Sequence, residues 1–177
     1  MAKTVRRAQK DYVYKIANSP VGRLKLVASH EGLAAILWDI DRPNRVRLNI
    51  VAEDANHPVL IEAERQLRDY FTGERQIFDL PLDFSGTEFQ KKVWQALLTI
   101  PFGETRSYAQ IAAQIGAPRA IRAVGAANGK NPISIITPCH RVIGSTGDLR
   151  GFAGGLERKT YLLGFEGSET KTFNFAA

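Results

Sequence analysis

Cysteine is almost absent from this sequence: Cys139 is the only one among 177 residues. One cysteine excludes an internal disulfide framework. A lone free thiol is best kept in a reducing compartment, so a cytoplasmic location is expected. Long apolar runs are also missing, and none approaches the roughly 18 residues of a membrane span. The basic stretch at residues 1–7 has no apolar segment behind it, so no secretory signal is expected. Histidine is scarce too, with three residues in all. His30 and His57 stand far apart with no cysteine near them, and both read as surface residues.

What is present is an ordinary core-forming content, 44% hydrophobic and 24% charged. The formal net charge is +6, and it is unevenly placed. Residues 1–83 carry 13 Lys or Arg against 12 Asp or Glu, and residues 84–177 carry 11 against 6. The basic excess therefore lies in the half that holds Cys139. A localised positive field suits a polyanionic partner, although a basic solvated surface gives the same count.

Cys139 sits within residues 131–143, Asn-Pro-Ile-Ser-Ile-Ile-Thr-Pro-Cys-His-Arg-Val-Ile. The β-branched run 133–137 predicts a short buried strand. Pro138 ends it by removing a backbone donor. His140 and Arg141 follow the thiol at once. Neighbouring cations favour the thiolate, which is the nucleophilic form of cysteine, and His140 is a candidate base. Adjacent side chains on a straight strand point to opposite faces, so His140 serves Cys139 only if the chain turns there or a water bridges them. The alternative is a buried structural cysteine.

Upstream, residues 12–16, 24–28 and 33–38 predict three strands. Residues 41–57 hold a fourth candidate around Val46, Leu48 and Ile50. Pro58 opens a helix to Phe71, and Gly73 suits its C-cap. Residues 73–86 lack periodicity and predict an interdomain connection. Thr87 and Gln90 fit a capping box for a helix whose apolar stripe is Phe89, Val93, Leu97 and Ile100, with Trp94 and Leu98 beside it. Two short helices follow, residues 107–115 and 119–128, around the turn Gly116-Ala117-Pro118. This is the layout of a helix-turn-helix. The second helix is small on one side, at Ala120, Ala123, Gly125, Ala126 and Ala127, and is flanked by Arg119 and Arg122. Such a face serves either close packing or close approach to nucleic acid. Residues 154–165 predict a last helix, and residues 168–177 a mobile end.

Pro138-Cys139-His140-Arg141-Val142 resembles the active-site signature of the O6-alkylguanine-DNA alkyltransferases. Arg122-Ala123-Val124-Gly125, Asn131-Pro132, Gly154-Gly155-Leu156 and Glu166-Gly167 follow the family's order and spacing. The resemblance spans roughly residues 84–167. It implies an α/β protein with a ribonuclease-H-like N-terminal domain, residues 1–83. A mostly helical, winged helix-turn-helix domain follows, residues 84–177.

The activity implied is irreversible transfer of the alkyl group from O6-alkylguanine in DNA to Cys139, with O4-alkylthymine as a related lesion. No cofactor is implied. The expected partner is double-stranded DNA bound by a monomer, with no membrane. Some family members carry a zinc site in the first half, but this chain lacks the cysteine for it, so no metal is expected. By position, Cys139 would be the acceptor, His140 its water-linked base, Glu166 the orienter of His140, Asn131 a brace and Tyr108 a proton donor. Arg122 would replace the flipped nucleotide, with Arg119, Ala123, Ala126, Ala127 and Tyr108 against DNA. Val142, Phe152, Ala153 and Gly154 would surround the base. Many family members have tyrosine where this chain has Phe152, and some have serine where it has Ala153. Neither of these two positions therefore offers a side-chain hydroxyl. A non-repairing damage sensor and a Cys-His thiol hydrolase are the rival readings.

Overall fold

In the computed structural model, residues 9–167 are described. The N-terminal part is a four-stranded sheet with one helix. β1 (Asp11–Ser19), β2 (Gly22–Ala28) and β3 (Leu33–Trp38) form an antiparallel meander, and β4 (Asn49–Glu53) adds in parallel beside β1. The sheet order is therefore β3-β2-β1-β4. α1 (Pro58–Phe71) packs on the sheet through Leu60, Ala63, Leu67 and Tyr70, the inward stripe its spacing predicts. His57 is the N-cap of α1, its imidazole accepting from the Val59 N–H, and Gly73 beyond the helix has φ +82°. This places His57 in a local structural role rather than on an idle surface.

β3 is one of the two edge strands, and its open side is covered rather than left to solvent. The Leu33 N–H donates to the Pro81 carbonyl and the Asp83 N–H to the Leu33 carbonyl, both at 2.8 Å. Further along, the Ile36 N–H donates to the Pro132 carbonyl at 2.8 Å. The aperiodic connection thus runs along the sheet, and the segment leading to Cys139 is seated on the same strand. Gly32 permits this approach, because a Cβ there would lie 2.5 Å from the Pro81 carbonyl oxygen.

The C-terminal part is mostly helical. α2 (Glu88–Leu97) carries the predicted Thr87–Gln90 capping box. Val93, Trp94 and Leu97 are buried, whereas Leu98 faces out at 38% exposure, so the stripe is narrower than expected. β5 (Arg106–Ser107) leads into α3 (Tyr108–Gln114), capped by Ser107 with Gln110. α4 (Ile121–Gly129) completes the helix-turn-helix. β6 (Val142–Ile143) pairs in parallel with β5 as a short ribbon, and α5 (Leu156–Phe165) closes the described chain.

Three expectations need correction. Residues 133–137 are not a strand. Ile133 makes one isolated bridge to Ile36, then the chain turns, with Ile135 at φ +74°. The Asn131 side chain brackets the turn, accepting from the Ile133 N–H at 3.1 Å and donating to the Thr137 carbonyl at 2.8 Å. These local bonds outcompete the extended preference of a β-branched run. Arg119 lies before α4, in the turn. α5 starts two residues later than expected, because Gly155 at φ +87° cannot continue a helix. The expectations for residues 1–8 and 168–177 fall outside the described residues.

Candidate active site

Cys139 begins a single 3-10 turn, Cys139–Arg141, directly after Pro138. The turn removes the strand objection, since consecutive side chains no longer alternate across a pleat. The thiol is 3% exposed and belongs to the hydrophobic cluster of Val93, Trp94, Ile111, Val124 and Val142. Burial pushes its pKa up, against the Asn131 amide and the positive fields of Lys159 and Arg45. A thiol in this setting stays protonated until a base takes its proton.

His140 is the titratable side chain next to it on the same turn. It is fully buried, and its Nε2 lies 2.8 Å from Glu166 Oε1. Its Nδ1 has no protein hydrogen-bond partner among the described residues. Burial lowers the His140 pKa, while the Glu166 carboxylate works in the opposite direction. Glu166 caps the end of α5 and gathers charge around it. Arg141 Nε donates to Oε2 and Nη2 to Oε1, both at 2.8 Å, while Nη1 donates to the Ile100 carbonyl at 2.6 Å. Burial raises the Glu166 pKa, but the bonds from His140 and Arg141 outweigh it and lower it to about 2. The carboxylate is therefore anionic throughout the physiological range and holds the imidazole in one orientation.

Asn131 is 1% exposed and fixes the turn that presents the thiol. Tyr108, at the first position of α3, packs against the Cys139 cluster and also lines a groove of about 740 Å³. Burial raises its pKa, so it holds its proton at neutral pH. The groove is further walled by Arg122 and Ile121 of α4, Phe152 and Ala153, and Ile40 and Arg42. Cys139 is not among its walls. Tyr108 and Phe152 each touch both the groove and the cysteine's cluster, so they stand between the two.

Arg122, Ala123 and Ala126 are exposed on α4, and Arg119 is exposed in the turn. Ala127 is not on that face. It is 3% exposed, and its carbonyl accepts from Trp94 Nε1 at 2.9 Å. Val124, Ala127 and Asn128 follow the i, i+3, i+4 inward stripe, so helical period assigns Ala127 to the core. Gly154 is likewise buried, and a Cβ there would meet the Trp38 ring at 2.8 Å. Its role is close packing rather than contact from the groove. Phe152 meets Trp38 edge-on at 5.5 Å. Val142 is buried with its carbonyl accepting from Lys159 Nζ at 2.7 Å.

Four contributors escaped the sequence reading, two of them in the N-terminal part where no chemistry was expected. Lys159 is fully buried, bridging the Val142 and Arg150 carbonyls, and burial lowers its pKa to about 8. Asn128 donates to the Cys139 carbonyl at 3.4 Å. Arg45 donates to the Asn131 carbonyl at 2.7 Å while paired with Asp41. Tyr70 donates to Glu166 Oε1 at 2.7 Å. None of the four carries a sequence signal, since each depends on a contact across elements. Among the described residues no group of metal-ligating side chains occurs, and no helix is long and apolar enough to cross a membrane.

Residues 12–84 match the family model for the 6-O-methylguanine DNA methyltransferase ribonuclease-like domain, and residues 88–168 that for the DNA binding domain. A methylated-DNA–protein-cysteine methyltransferase of Methanosarcina acetivorans is 49% identical over 158 residues, 88% of this chain and 98% of the relative. One from Mycobacterium leprae is 51% identical over 158 residues, 88% of this chain and 92% of the relative. Among solved structures, Mycobacterium tuberculosis OGT in complex with DNA matches with a TM-score of 0.76 at 48% identity. That match covers 87% of this chain and 92% of the other.

Proposed function

The chain belongs to the 6-O-methylguanine DNA methyltransferase family, and from that premise we propose how its residues repair O6-alkylguanine in double-stranded DNA. The observation that carries the proposal is the Cys139–His140–Glu166 arrangement on a turn behind a basic groove.

The duplex lies against α4, where Ala123 and Ala126 allow close approach and Arg119 and Arg122 meet phosphates or base steps. A nucleophile cannot reach the alkyl carbon while guanine is stacked, so the base turns out into the groove and Arg122 fills its place. Phe152 stacks on the extruded base. The Ala153 amide and the Val142 carbonyl, which has a second lone pair beside the one Lys159 uses, contact its edges. His140 Nδ1 takes the thiol proton through a water, and Glu166 stabilises the imidazolium. The Cys139 Sγ–carbon bond forms as the carbon–O6 bond breaks. The electron pair stays on the guanine, which takes a proton from Tyr108. A thioether is a poor leaving group and the chain has no second thiol, so each molecule reacts once.

Incubation with a duplex carrying labelled O6-methylguanine, followed by peptide mass spectrometry, should place one methyl on the Cys139 peptide. No label, or label elsewhere, would overturn the proposal.

Arg122→Ala is expected to slow repair of duplex about tenfold or more, because opening a stacked base costs a few kcal/mol. Reaction with free O6-benzylguanine should be nearly unchanged. Equal slowing on both substrates would assign Arg122 to the chemistry or the fold.

Alkylation itself should lower stability. Cys139 lies in a close-packed cluster, and a small-to-large change in such a site costs roughly 1–3 kcal/mol. The methylated protein should melt below the free protein in the absence of DNA, and a benzyl adduct lower still. An unchanged or raised melting temperature would show spare room around the thiol.

A further inference from the structure

The relay behind Cys139 is not confined to the C-terminal part. Tyr70 lies on α1, its side chain is 1% exposed, and its hydroxyl donates to Glu166 Oε1 at 2.7 Å. That same oxygen faces His140 Nε2 and accepts from Arg141 Nη2, each at 2.8 Å. Oε1 thus serves three donors at once, and every donor added weakens its hold on the others. The Tyr70 ring is caged by Phe71, Phe78, Phe102 and Phe165, with ring centroids 4.9–6.1 Å away. The cage fixes the hydroxyl's direction, so the bond is a built feature and not the swing of a surface side chain.

We propose that Tyr70 is a positioning residue of the alkyl transfer, through which the N-terminal domain fixes and tempers the Glu166 carboxylate that orients His140. This rests on the reading of Cys139 as acceptor and His140 as its base. The O–H dipole presents its positive end to Oε1. It weakens the negative field that Glu166 exerts on the imidazole and so lowers the affinity of His140 for a proton. The groups facing His140 are Glu166 and Lys159 from α5 and its cap, with Arg141 from its own turn. Those facing Tyr70 are Glu166, Arg141 and Tyr161. Tyr70 is the neutral member of this set that reaches the carboxylate from another domain. Burial and the adjacent carboxylate both raise its own pKa, so it stays a donor throughout.

The test is the pH dependence of single-turnover transfer from an O6-methylguanine duplex and from free O6-benzylguanine. The acid limb reports protonation of His140, which then cannot take the thiol proton. Tyr70→Phe keeps the caged ring and removes only the hydroxyl. Its acid limb should move up by about half a pH unit, a roughly threefold slower reaction on that flank. Duplex affinity should be unchanged. Site-specific 3-fluorotyrosine at position 70 keeps the fold and the hydroxyl but is a stronger donor, so its limb should move down. Opposite displacements support the assignment. Limbs that superimpose on the wild type in either protein, with only the melting temperature altered, overturn it and leave a structural tyrosine. If Tyr70→Phe does not fold, the fluorotyrosine protein decides alone. A wild-type protein that transfers nothing to Cys139 would instead sink the underlying reading, and this inference with it.

Discussion

Cys139→Ser is expected to abolish alkyl transfer while duplex affinity stays within about twofold, since affinity comes from Lys and Arg contacts to phosphates. Oxygen is smaller than sulfur, so the cluster of Val93, Trp94, Ile111 and Val142 loses some packing but is not overfilled by the change. The chemistry does not accept it. A serine hydroxyl in this buried site is far harder to ionise than a thiol, and His140 with a lowered pKa is too weak a base to compensate. The residues expected at DNA, Arg122, Ala123 and Ala126, lie on α4 and are untouched. The measurements are transfer of labelled methyl from an O6-methylguanine duplex and anisotropy of a labelled duplex across a salt series. Residual transfer would remove Cys139 as acceptor. A large affinity loss would mean that the thiol contributes to binding the extruded base.

The sequence made the frame of this protein visible and hid the wiring. β3 and α1 are recovered to the residue, because a dense apolar run and a proline-led amphipathic stripe each leave one solution. The Thr87–Gln90 box marks a helix start through bonds spanning only three residues. The turn before Cys139 was misread for the converse reason. Its β-branched residues favour extension, and this is defeated by the Asn131 side chain together with backbone bonds within the turn, such as Thr137 N–H to the Ile133 carbonyl. Lys159 illustrates a different limit. In the run Glu157-Arg158-Lys159 it reads as a solvated charge, yet helical phase turns it inward to the Val142 carbonyl. Tyr70 and Arg45 lie 96 and 86 residues from the groups they bond, so no local pattern can reveal them.

Glu166→Gln should produce the largest stability loss of any single change near the site, and its pH dependence has a defined shape. Gln keeps the size and one acceptor, but it leaves the Arg141 guanidinium, 6% exposed, without a counter-charge. Breaking a buried pair from one side costs roughly 3–5 kcal/mol, because the remaining charge is uncompensated. The Glu166 pKa falls from 4.5 to about 2 on folding. A depressed carboxylate stabilises the fold above its unfolded pKa and loses that contribution as pH drops through the folded one. The gap between wild type and variant should therefore be full above about 4.5 and close towards about 2. His140 modifies this on the acid side of neutrality. Its pKa is already lowered by burial, and without the carboxylate it falls further. Below 6.5 the unfolded chain binds a proton that both folded proteins refuse, so the gap should widen slightly only once pH falls below the lowered His140 pKa of the wild type, before it closes. Urea unfolding of both proteins at a series of pH values measures the gap directly. A gap that stays constant from neutrality to strong acid would mean that Arg141 is satisfied without Glu166, and that the carboxylate serves His140 alone.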